Sequence, residues 1–188
     1  MSTLAIIAGS RADREKASPE YSCPVAELQR LRPDHAAAVL AFERENRAYF
    51  ATTIPDRGDD FFEHFAERHA SLLAEQDAGA GVFHVVVGDD GEVLGRVSLT
   101  AIEDGTADLG YRVAEKAAGR GVATEAVLEA CRLAAEDHGL RSVRAATTRD
   151  NLASQKVLAR TGFVPAGETR LSGQPGITYL RELTDDHD

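Results

Sequence analysis

The middle of the chain alternates apolar and polar residues in the way that antiparallel strands do. A β-branched and aromatic run over Val82–Val87 is followed by Asp89-Asp90-Gly91 and by a second such run over Val93–Thr100, which predicts a hairpin. A further strand is predicted over Ala107–Ala114, because alternate positions along it are apolar and fall on one face of a sheet. The apolar residues of that face are Leu109, Tyr111 and Val113.

Apolar residues recur at helical spacing on both sides of these strands. One helix is predicted over Pro33–Phe50, and a second, amphipathic helix over Phe61–Gln76. A long helix is predicted to follow Gly121 and to run to about His138, with Gly139 at the usual capping position. The remaining predicted elements are strands over Val25–Leu31, Ser142–Thr148, Phe163–Thr169 and Ile177–Leu183, a short helix over Ser154–Arg160 and a loop over Ser172–Gly176.

This order of elements predicts an α/β domain, of the α+β type, in which helices flank one central sheet. The sheet is expected to be mixed but mostly antiparallel, because hairpins precede and follow a strand–helix–strand unit. A length of 188 residues suits one domain. We expect an N-terminal extension of uncertain structure over residues 1–22, a single domain over 23–184 and a short acidic tail over 185–188.

The composition excludes several classes of function. Hydrophobic residues make up 43% of the chain, which is enough for a sizeable core. The formal net charge of −10 argues against nucleic-acid binding, which needs clustered Lys and Arg. This charge favours a cationic partner such as an amine, although a solvated acidic surface explains it equally well. No apolar run reaches the roughly 20 residues that span a bilayer, so we expect a soluble, cytoplasmic protein that does not bind membranes.

The cysteines and histidines do not indicate a metal or disulfide protein. Two cysteines, Cys23 and Cys131, cannot build a disulfide framework or a four-thiolate metal site. Cys131 falls within an apolar helical pattern, which is typical of a buried free thiol. His64 and His69 are five residues apart, so they do not share a helical face as a zinc-binding pair does. We therefore expect no metal.

The most informative stretch is a strand that leads into a glycine-containing turn and then a helix, over Tyr111–Glu125. The first N–H groups of such a helix lack internal partners and lie at the positive end of its dipole. The turn therefore predicts a pyrophosphate site, although a strand-to-helix turn without a ligand has the same pattern. A nucleotide-hydrolase phosphate loop is excluded because Val122-Ala123 replaces Lys-Ser or Lys-Thr. A dinucleotide-binding fingerprint is excluded because Thr124 replaces its third glycine.

At these residues the chain resembles the GNAT superfamily of N-acetyltransferases. The acetyl-CoA signature of that family, (Gln/Arg)-x-x-Gly-x-(Gly/Ala), matches Ala118–Ala123 except at its first position, where Ala118 replaces Gln or Arg. A second match is Asn-x-x-Ser-x-x-x-Leu over Asn151–Leu158, followed by Thr161-Gly162-Phe163. It is similar to the Rim-type branch, the ribosomal-protein N-terminal alanine acetyltransferases and their relatives. Glu45-Asn46-Arg47 also resembles that branch, and the resemblance spans roughly Val25–Leu183.

The resemblance implies the GNAT fold, with a splayed pair of strands that admits acetyl-CoA as co-substrate. The pyrophosphate of CoA would lie on the backbone N–H groups of residues 119–124. A backbone N–H at Tyr111 or Val113 would bond the thioester carbonyl and stabilise its oxyanion. Asn151 would bond the pantetheine arm, unless it serves only as a helix N-cap. The implied CoA-binding residues are Tyr111, Arg112, Val113, Ala118, Gly119, Arg120, Gly121, Val122, Ala123, Thr124, Asn151 and Ser154.

Catalytic roles are also implied by position. Ser154 would donate a proton to the departing CoA thiolate or would only cap a short helix, and Leu158 stands where many GNAT enzymes have a tyrosine. The glutamate that some members use as a base corresponds to Ala146, which leaves Asp108 as the candidate. Strand alternation puts the side chain of Asp108 on the face opposite Tyr111 and Val113, and only a β-bulge would turn it to the same face. The alternative is that Asp108 is a solvated or structural carboxylate and not a base. Glu45 is a second candidate.

The implied reaction is direct acetyl transfer from acetyl-CoA to a primary amine in a ternary complex. An acyl-enzyme is not expected, since neither cysteine has the Cys–His context that it would need. The expected acceptor is the α-amine of a protein N-terminus. A small amine (polyamine, amino acid or aminoglycoside) is the alternative acceptor, and a non-catalytic acyl-CoA-binding module is a third hypothesis. The sequence leaves the oligomeric state open, a homodimer included.

Overall fold

A computed structural model describes residues 26–183, which form one seven-stranded sheet with helices packed on it. The strands are β1 (Glu27–Arg30), β2 (Val82–Val87), β3 (Val93–Glu103), β4 (Thr106–Val113), β5 (Ser142–Thr148), β6 (Val164–Leu171) and β7 (Gln174–Glu182). The helices are α1 (Ala36–Glu45), α2 (Arg47–Ala51), α3 (Asp59–Glu63), α4 (Phe65–Asp77), α5 (Val122–Glu136) and α6 (Leu152–Arg160), with 3-10 turns at Pro33–His35 and Glu115–Ala117. The predicted extension over 1–22 and the tail over 185–188 lie outside the described residues.

The strands are arranged in the order β1-β2-β3-β4-β5-β7-β6. Neighbouring strands are antiparallel except for β4 and β5, which are parallel because α5 carries the chain back between them. The prediction of a mixed, mostly antiparallel sheet flanked by helices is therefore confirmed. The β2–β3 hairpin also has its turn where the sequence places it, with Gly91 in the left-handed region at a φ of 75°.

β4 and β5 separate after a short stretch of pairing. Residues Thr106–Asp108 pair with Ser142–Arg144, although β4 continues to Val113 and β5 to Thr148. The other edge of β4 remains paired with β3 as far as Val113. The two strands thus enclose a wedge that widens toward their carboxyl ends. This wedge is the splayed strand pair that the family resemblance implies.

Helices cover the sheet on its two faces. α1 and α4 pack against β3 and β2, and α5 packs against β4, β3 and β1 with α6 beside it. The face below α1 carries Arg96 and Arg112, whose side chains bond Glu43 of that helix. Because successive residues of a strand point to opposite faces, Tyr111 and Val113 lie on the other face. Apolar side chains fill both interfaces, and together they form one core cluster.

Each of the two predicted N-terminal helices is broken in two. The first break is at Asn46, which leaves the helical region (φ −101°, ψ 7°) while its side chain donates a hydrogen bond to the Phe42 carbonyl. The second break is at His64, whose ring nitrogen bonds the Asp60 carbonyl. In both cases a polar side chain bonds a carbonyl of the preceding turn, and such bonds compete with the regular helical ladder. The prediction of two continuous helices is wrong at these positions.

The connection predicted as a loop over Ser172–Gly176 is shorter than expected and is a plain hairpin turn. β6 and β7 are joined by a two-residue turn, because Ser172 (φ 50°) and Gly173 (φ 82°) both adopt the left-handed conformation of a type I′ hairpin turn. Strand β7 therefore begins at Gln174, three residues before the predicted start. β6 and β7 therefore form a tightly turned hairpin at this edge of the sheet.

Candidate active site

The turn between β4 and α5 has the geometry of an anion cradle. Gly119 and Gly121 have φ values of 73° and 85°, which glycine adopts without strain. Gly121 is the N-cap of α5 and has no side chain to cap it, and the first helical hydrogen bond runs from the Glu125 N–H to the Gly121 carbonyl. The N–H groups of residues 122–124 therefore have no helical partner and lie at the positive end of the dipole. A Cβ on Gly119 would meet no atom within 4 Å, so the space beside the turn is open, as the predicted binding of a diphosphate requires.

The side chain of Asn46, at the end of α1, holds the start of this turn. The side-chain oxygen Oδ1 of Asn46 accepts a hydrogen bond of 2.9 Å from the backbone N–H of Glu115. Its Nδ2 donates to the Phe42 carbonyl, also at 2.9 Å, and the side chain is buried. Removing the amide would leave buried polar groups unpaired, which is costly. In the sequence Asn46 stands out only through the Rim-type resemblance, because its partner lies 69 positions away.

The wedge presents backbone N–H groups of β4 toward β5. The N–H of Ala114 donates to the Leu94 carbonyl of β3 at 2.8 Å. Since alternate residues of a strand direct their N–H groups to opposite edges, those of Tyr111 and Val113 face the wedge. The pairing between β4 and β5 ends before both residues. These two N–H groups therefore lie where the sequence predicts a donor for the thioester carbonyl.

Helix α6 brings two further predicted residues to the wedge. Asn151 is the N-cap of α6, and its side-chain oxygen accepts a hydrogen bond of 3.1 Å from the Ser154 N–H. The capping role that the sequence left open is thus present, and the helix begins earlier than predicted. The Ser154 side chain is fully buried. The predicted contact of Asn151 with pantetheine stays a prediction.

Ser154 lies close to the Tyr111 phenol. Burial raises the pKa of that phenol well above its usual range, whereas the Ser154 hydroxyl acts in the opposite direction by hydrogen bonding. The contact is loose, since the Tyr111 oxygen makes no hydrogen bond of standard geometry with the described residues. Both hydroxyls are therefore protonated at neutral pH, as a proton donor to a leaving thiolate must be.

Two predicted site residues point away from the wedge. Arg112 is buried on the α1 side, where its guanidinium bonds Glu43 at 3.0 Å, so only its backbone faces the cofactor region. Asp108 lies on the same face and bonds Arg144 of β5 at 2.6 Å. A bulge does occur nearby, but its one extra residue is in β3, between Thr100 and Glu103, and β4 keeps its regular alternation. The structure therefore does not bring the Asp108 carboxylate together with Ser154.

Three other positions that the sequence relates to catalysis contribute no acid or base to the wedge. Leu158, at the position of the family tyrosine, is fully buried in the core. Glu45 is exposed at the end of α1, and Ala146 is half-buried on β5. None of these three residues brings a carboxylate or a phenol into the wedge.

A groove of about 800 Å³ opens beside the first turn of α6. Its walls are the β6–β7 hairpin and the first half, residues 52–55, of the segment after α2, which we call the acceptor segment (residues 52–58). Its floor is the end of β5 with the start of α6. Asp150 is the one charged residue among the described lining residues, and its position gave no signal in the sequence. Other lining residues are Tyr49, Thr52, Ile54, Asn151, Leu171 and Gln174.

Residues 26–183 contain neither a cluster of metal ligands nor a reactive thiol. Over residues 26–183, no three His, Cys, Asp or Glu side chains are grouped closely enough to hold a metal ion. In the same range, no helix combines the length and the apolar character needed to cross a membrane. Cys131 is buried, and burial raises the pKa of its thiol to about 11, so at neutral pH it is not a thiolate nucleophile. Cys23 lies outside the described residues.

Comparison with known proteins agrees with this geometry. An acetyltransferase (GNAT) domain model matches residues 26–164. A probable N-acetyltransferase of Bacillus subtilis (strain 168), YjcK, is 29% identical over 140 residues, which cover 70% of this chain and 76% of YjcK.

Solved structures of Rim-type enzymes share the fold. The ribosomal-protein-S5-alanine acetyltransferase of Vibrio fischeri aligns with a TM-score of 0.80 and 23% identity, over 92% of this chain and all of that one. RimJ of Mycobacterium smegmatis, in complex with CoA-disulfide, aligns with a TM-score of 0.78 and 22% identity, over 88% of this chain and 86% of RimJ. The GNAT signature, the wedge and the open turn before α5 thus agree with the match to the family model. The chain belongs to the acetyltransferase (GNAT) domain family and is an acetyl-CoA-dependent acetyltransferase.

Proposed function

We propose that the chain acetylates the α-amino group at the N-terminus of a protein. The observation that carries this proposal is the open groove of about 800 Å³ between the acceptor segment and the β6–β7 hairpin, which has room for the first residues of a peptide. Asp150 gives the groove a carboxylate that attracts an ammonium group. No Lys or Arg is present among its described lining residues to repel one. The similarity to Rim-type structures supports the same acceptor class.

In the proposed reaction the amine attacks the thioester carbonyl directly. The N–H groups of Tyr111 and Val113 hold the carbonyl oxygen and stabilise the negative charge that develops on it. Ser154 donates its proton to the sulfur as the carbon–sulfur bond breaks. These roles require no covalent enzyme intermediate, in keeping with the buried thiol of Cys131.

The amine must lose a proton before or during the attack, because an α-amine has a pKa of about 8. Asp108 is the base that the sequence suggests. For it to act, a chain of waters must carry the proton around the edge of β4, since its side chain bonds Arg144 on the other face. Asp150 lies in the groove itself, where it can bind the ammonium form of the acceptor.

The acceptor class is tested with a panel of N-terminal peptides and small amines. CoA release measures turnover, and fragment-ion mass spectrometry locates the acetyl group. We expect turnover of peptides with a free α-amine and none with the same peptides blocked by an N-terminal formyl group. Turnover of polyamines, amino acids or aminoglycosides alone would overturn the proposal. Saturable acetyl-CoA binding without turnover of any amine would instead indicate a non-catalytic module.

A further inference from the structure

A cluster of arginines surrounds one buried carboxylate between α1 and the sheet. Glu43 of α1 is 2% exposed, and its two oxygens accept hydrogen bonds from Arg96 at 2.7 Å and from Arg112 at 3.0 Å. The guanidinium of Arg57, at the end of the acceptor segment, approaches the same carboxylate to 3.9 Å. Three guanidinium groups therefore share one carboxylate as their counter-ion among the described residues.

The cluster is positive and largely hidden from solvent. The side chain of Arg57 is 28% exposed, that of Arg96 17% and that of Arg112 6%. Burial lowers the pKa of Arg112 to about 9, so it is still protonated at neutral pH. The nearby Arg47 pairs with two aspartates, Asp56 and Asp59, so this more exposed group has one negative charge in excess. Within the cluster itself, three guanidinium groups share the single carboxylate of Glu43 among the described residues. Two buried or half-buried positive charges therefore lack a directly bonded counter-ion, which is unfavourable.

Aromatic rings stack on two of these guanidinium groups and stabilise part of their charge, but stacking does not satisfy the N–H donors. Arg112 lies over the Phe50 ring, 5.1 Å from its centroid, and Arg57 lies over the Phe61 ring at 4.4 Å. A guanidinium has five N–H donors around its edge, and stacking uses only its face. Arg57 makes no hydrogen bond through any of them to the described residues, since its distance to Glu43 is too long.

A cavity of about 90 Å³ is lined by all three arginines. A water molecule needs roughly 10–15 Å³ of such space, so the cavity has room for a small anion together with water. The backbone or side chain of Ser98 and of Tyr111 lines it on the sheet side, and His84 is also at its border. Burial lowers the pKa of His84 to about 4, so this histidine is neutral at pH 7 and adds no charge.

We propose that this cavity is a binding site for a small monovalent inorganic anion such as chloride, held by Arg57, Arg96 and Arg112. The anion supplies the charge that Glu43 alone does not. Because Arg57 belongs to the acceptor segment, anion binding also holds this wall of the groove against the sheet. The site lies apart from the turn at residues 119–124, although its lining residues Tyr111 and Arg112 belong to the strand predicted to hold the thioester. It does not depend on which amine is acetylated.

The test is thermal unfolding of the full chain in sodium chloride or sodium nitrate against sodium gluconate, at matched ionic strength. Gluconate serves as the bulky anion that does not fit. We expect a saturable rise in Tm with chloride or nitrate, of about 5–10 °C at an anion concentration 100-fold above the dissociation constant. The same midpoint in gluconate and in the small anions would overturn the proposal.

Two variants and a control locate the effect. Arg57→Gln is expected to lose the rise in Tm, whereas Arg68→Gln should keep it. Arg68 is a matched control because it also lies near the Phe61 ring, at 5.6 Å, but does not line the cavity. Glu43→Gln adds a further unbalanced positive charge, so it should respond more strongly to chloride than the wild type does. An unchanged chloride response in Arg57→Gln, or a weaker one in Glu43→Gln, would contradict the assignment.

Discussion

A comparison of Gly119→Ala with Gly79→Ala distinguishes a loss of CoA binding from the backbone strain that any such glycine substitution causes. Gly119 has a φ of 73°, and a Cβ built there meets no atom within 4 Å. Gly79, in the turn after α4, has the same φ of 73° and equally open surroundings. The two positions therefore impose the same backbone strain on an alanine. Only Gly119 lies at the turn where the diphosphate is expected.

The size of each effect follows from the geometry. An alanine in the left-handed region costs about 1–2 kcal/mol, so both variants are expected to unfold about 2–8 °C below the wild type. In Gly119→Ala the methyl group also occupies space through which the diphosphate reaches the turn. Loss of one hydrogen bond to a charged group costs about 1.5–3 kcal/mol, which corresponds to a roughly 10- to 150-fold rise in the Kd for CoA. Gly79→Ala should bind CoA as the wild type does.

Isothermal titration with CoA and thermal unfolding, on the wild type and both variants, check these expectations. Equal CoA affinity in Gly119→Ala and the wild type would refute the placement of the diphosphate at this turn. Equal losses of affinity in Gly119→Ala and Gly79→Ala would show that strain alone, transmitted through the fold, weakens binding.

Four further predictions concern residues around the site. Asn46→Ala should raise the Kd for CoA, measured by calorimetry, by about tenfold, because the N–H of Glu115 loses its partner. Unchanged affinity would show that the turn keeps its conformation without this hydrogen bond. Ser154→Ala should lower kcat by about 100-fold at unchanged CoA affinity, and an unaltered kcat would remove Ser154 from the mechanism. Asp150→Asn should raise KM for the amine by roughly tenfold with little effect on kcat, and an unchanged KM would mean that the acceptor does not contact this carboxylate. Burial lowers the pKa of His84 from 6.5 to about 4, so as pH falls the unfolded chain binds a proton at this residue before the folded chain does. As pH falls from 6.5 to 4, the wild type should therefore lose about 3 kcal/mol of unfolding free energy relative to His84→Gln. Parallel pH curves for the two proteins in denaturant melts would contradict this.

Much of the sheet, and the glycine turn between β4 and α5, could be predicted because their sequence signals are local. The predicted bounds of β5, Ser142–Thr148, are those of the structure, since β-branched residues are enriched there and turn residues flank the strand. The turn at Gly119 and Gly121 was likewise predictable, because the strand, the glycines and the helix are contiguous in the chain.

The parts that sequence reasoning missed depend on contacts between distant residues. Asn46 breaks the first helix and bonds Glu115, and no periodicity within either segment indicates that pairing. The groove as a whole could not be predicted, because its walls and floor come from three separate stretches that meet only in the fold. The hairpin turn at Ser172 was predicted too long, since a positive φ at a serine is uncommon and has no clear sequence mark.

Helix α1 supports both halves of the candidate site. Glu43 and Asn46 are three positions apart, so they lie on the same, buried side of the helix. Asn46 bonds Glu115 at the start of the turn before α5, while Glu43 bonds Arg112 of β4 and lies 3.9 Å from Arg57 of the acceptor segment. Substitution of Glu43, whose partners belong both to the acceptor segment and to β4, should therefore change CoA affinity and acceptor KM together. A residue that contacts only one substrate, such as Asp150, should change one parameter alone, and this difference distinguishes a supporting residue from one that binds the acceptor.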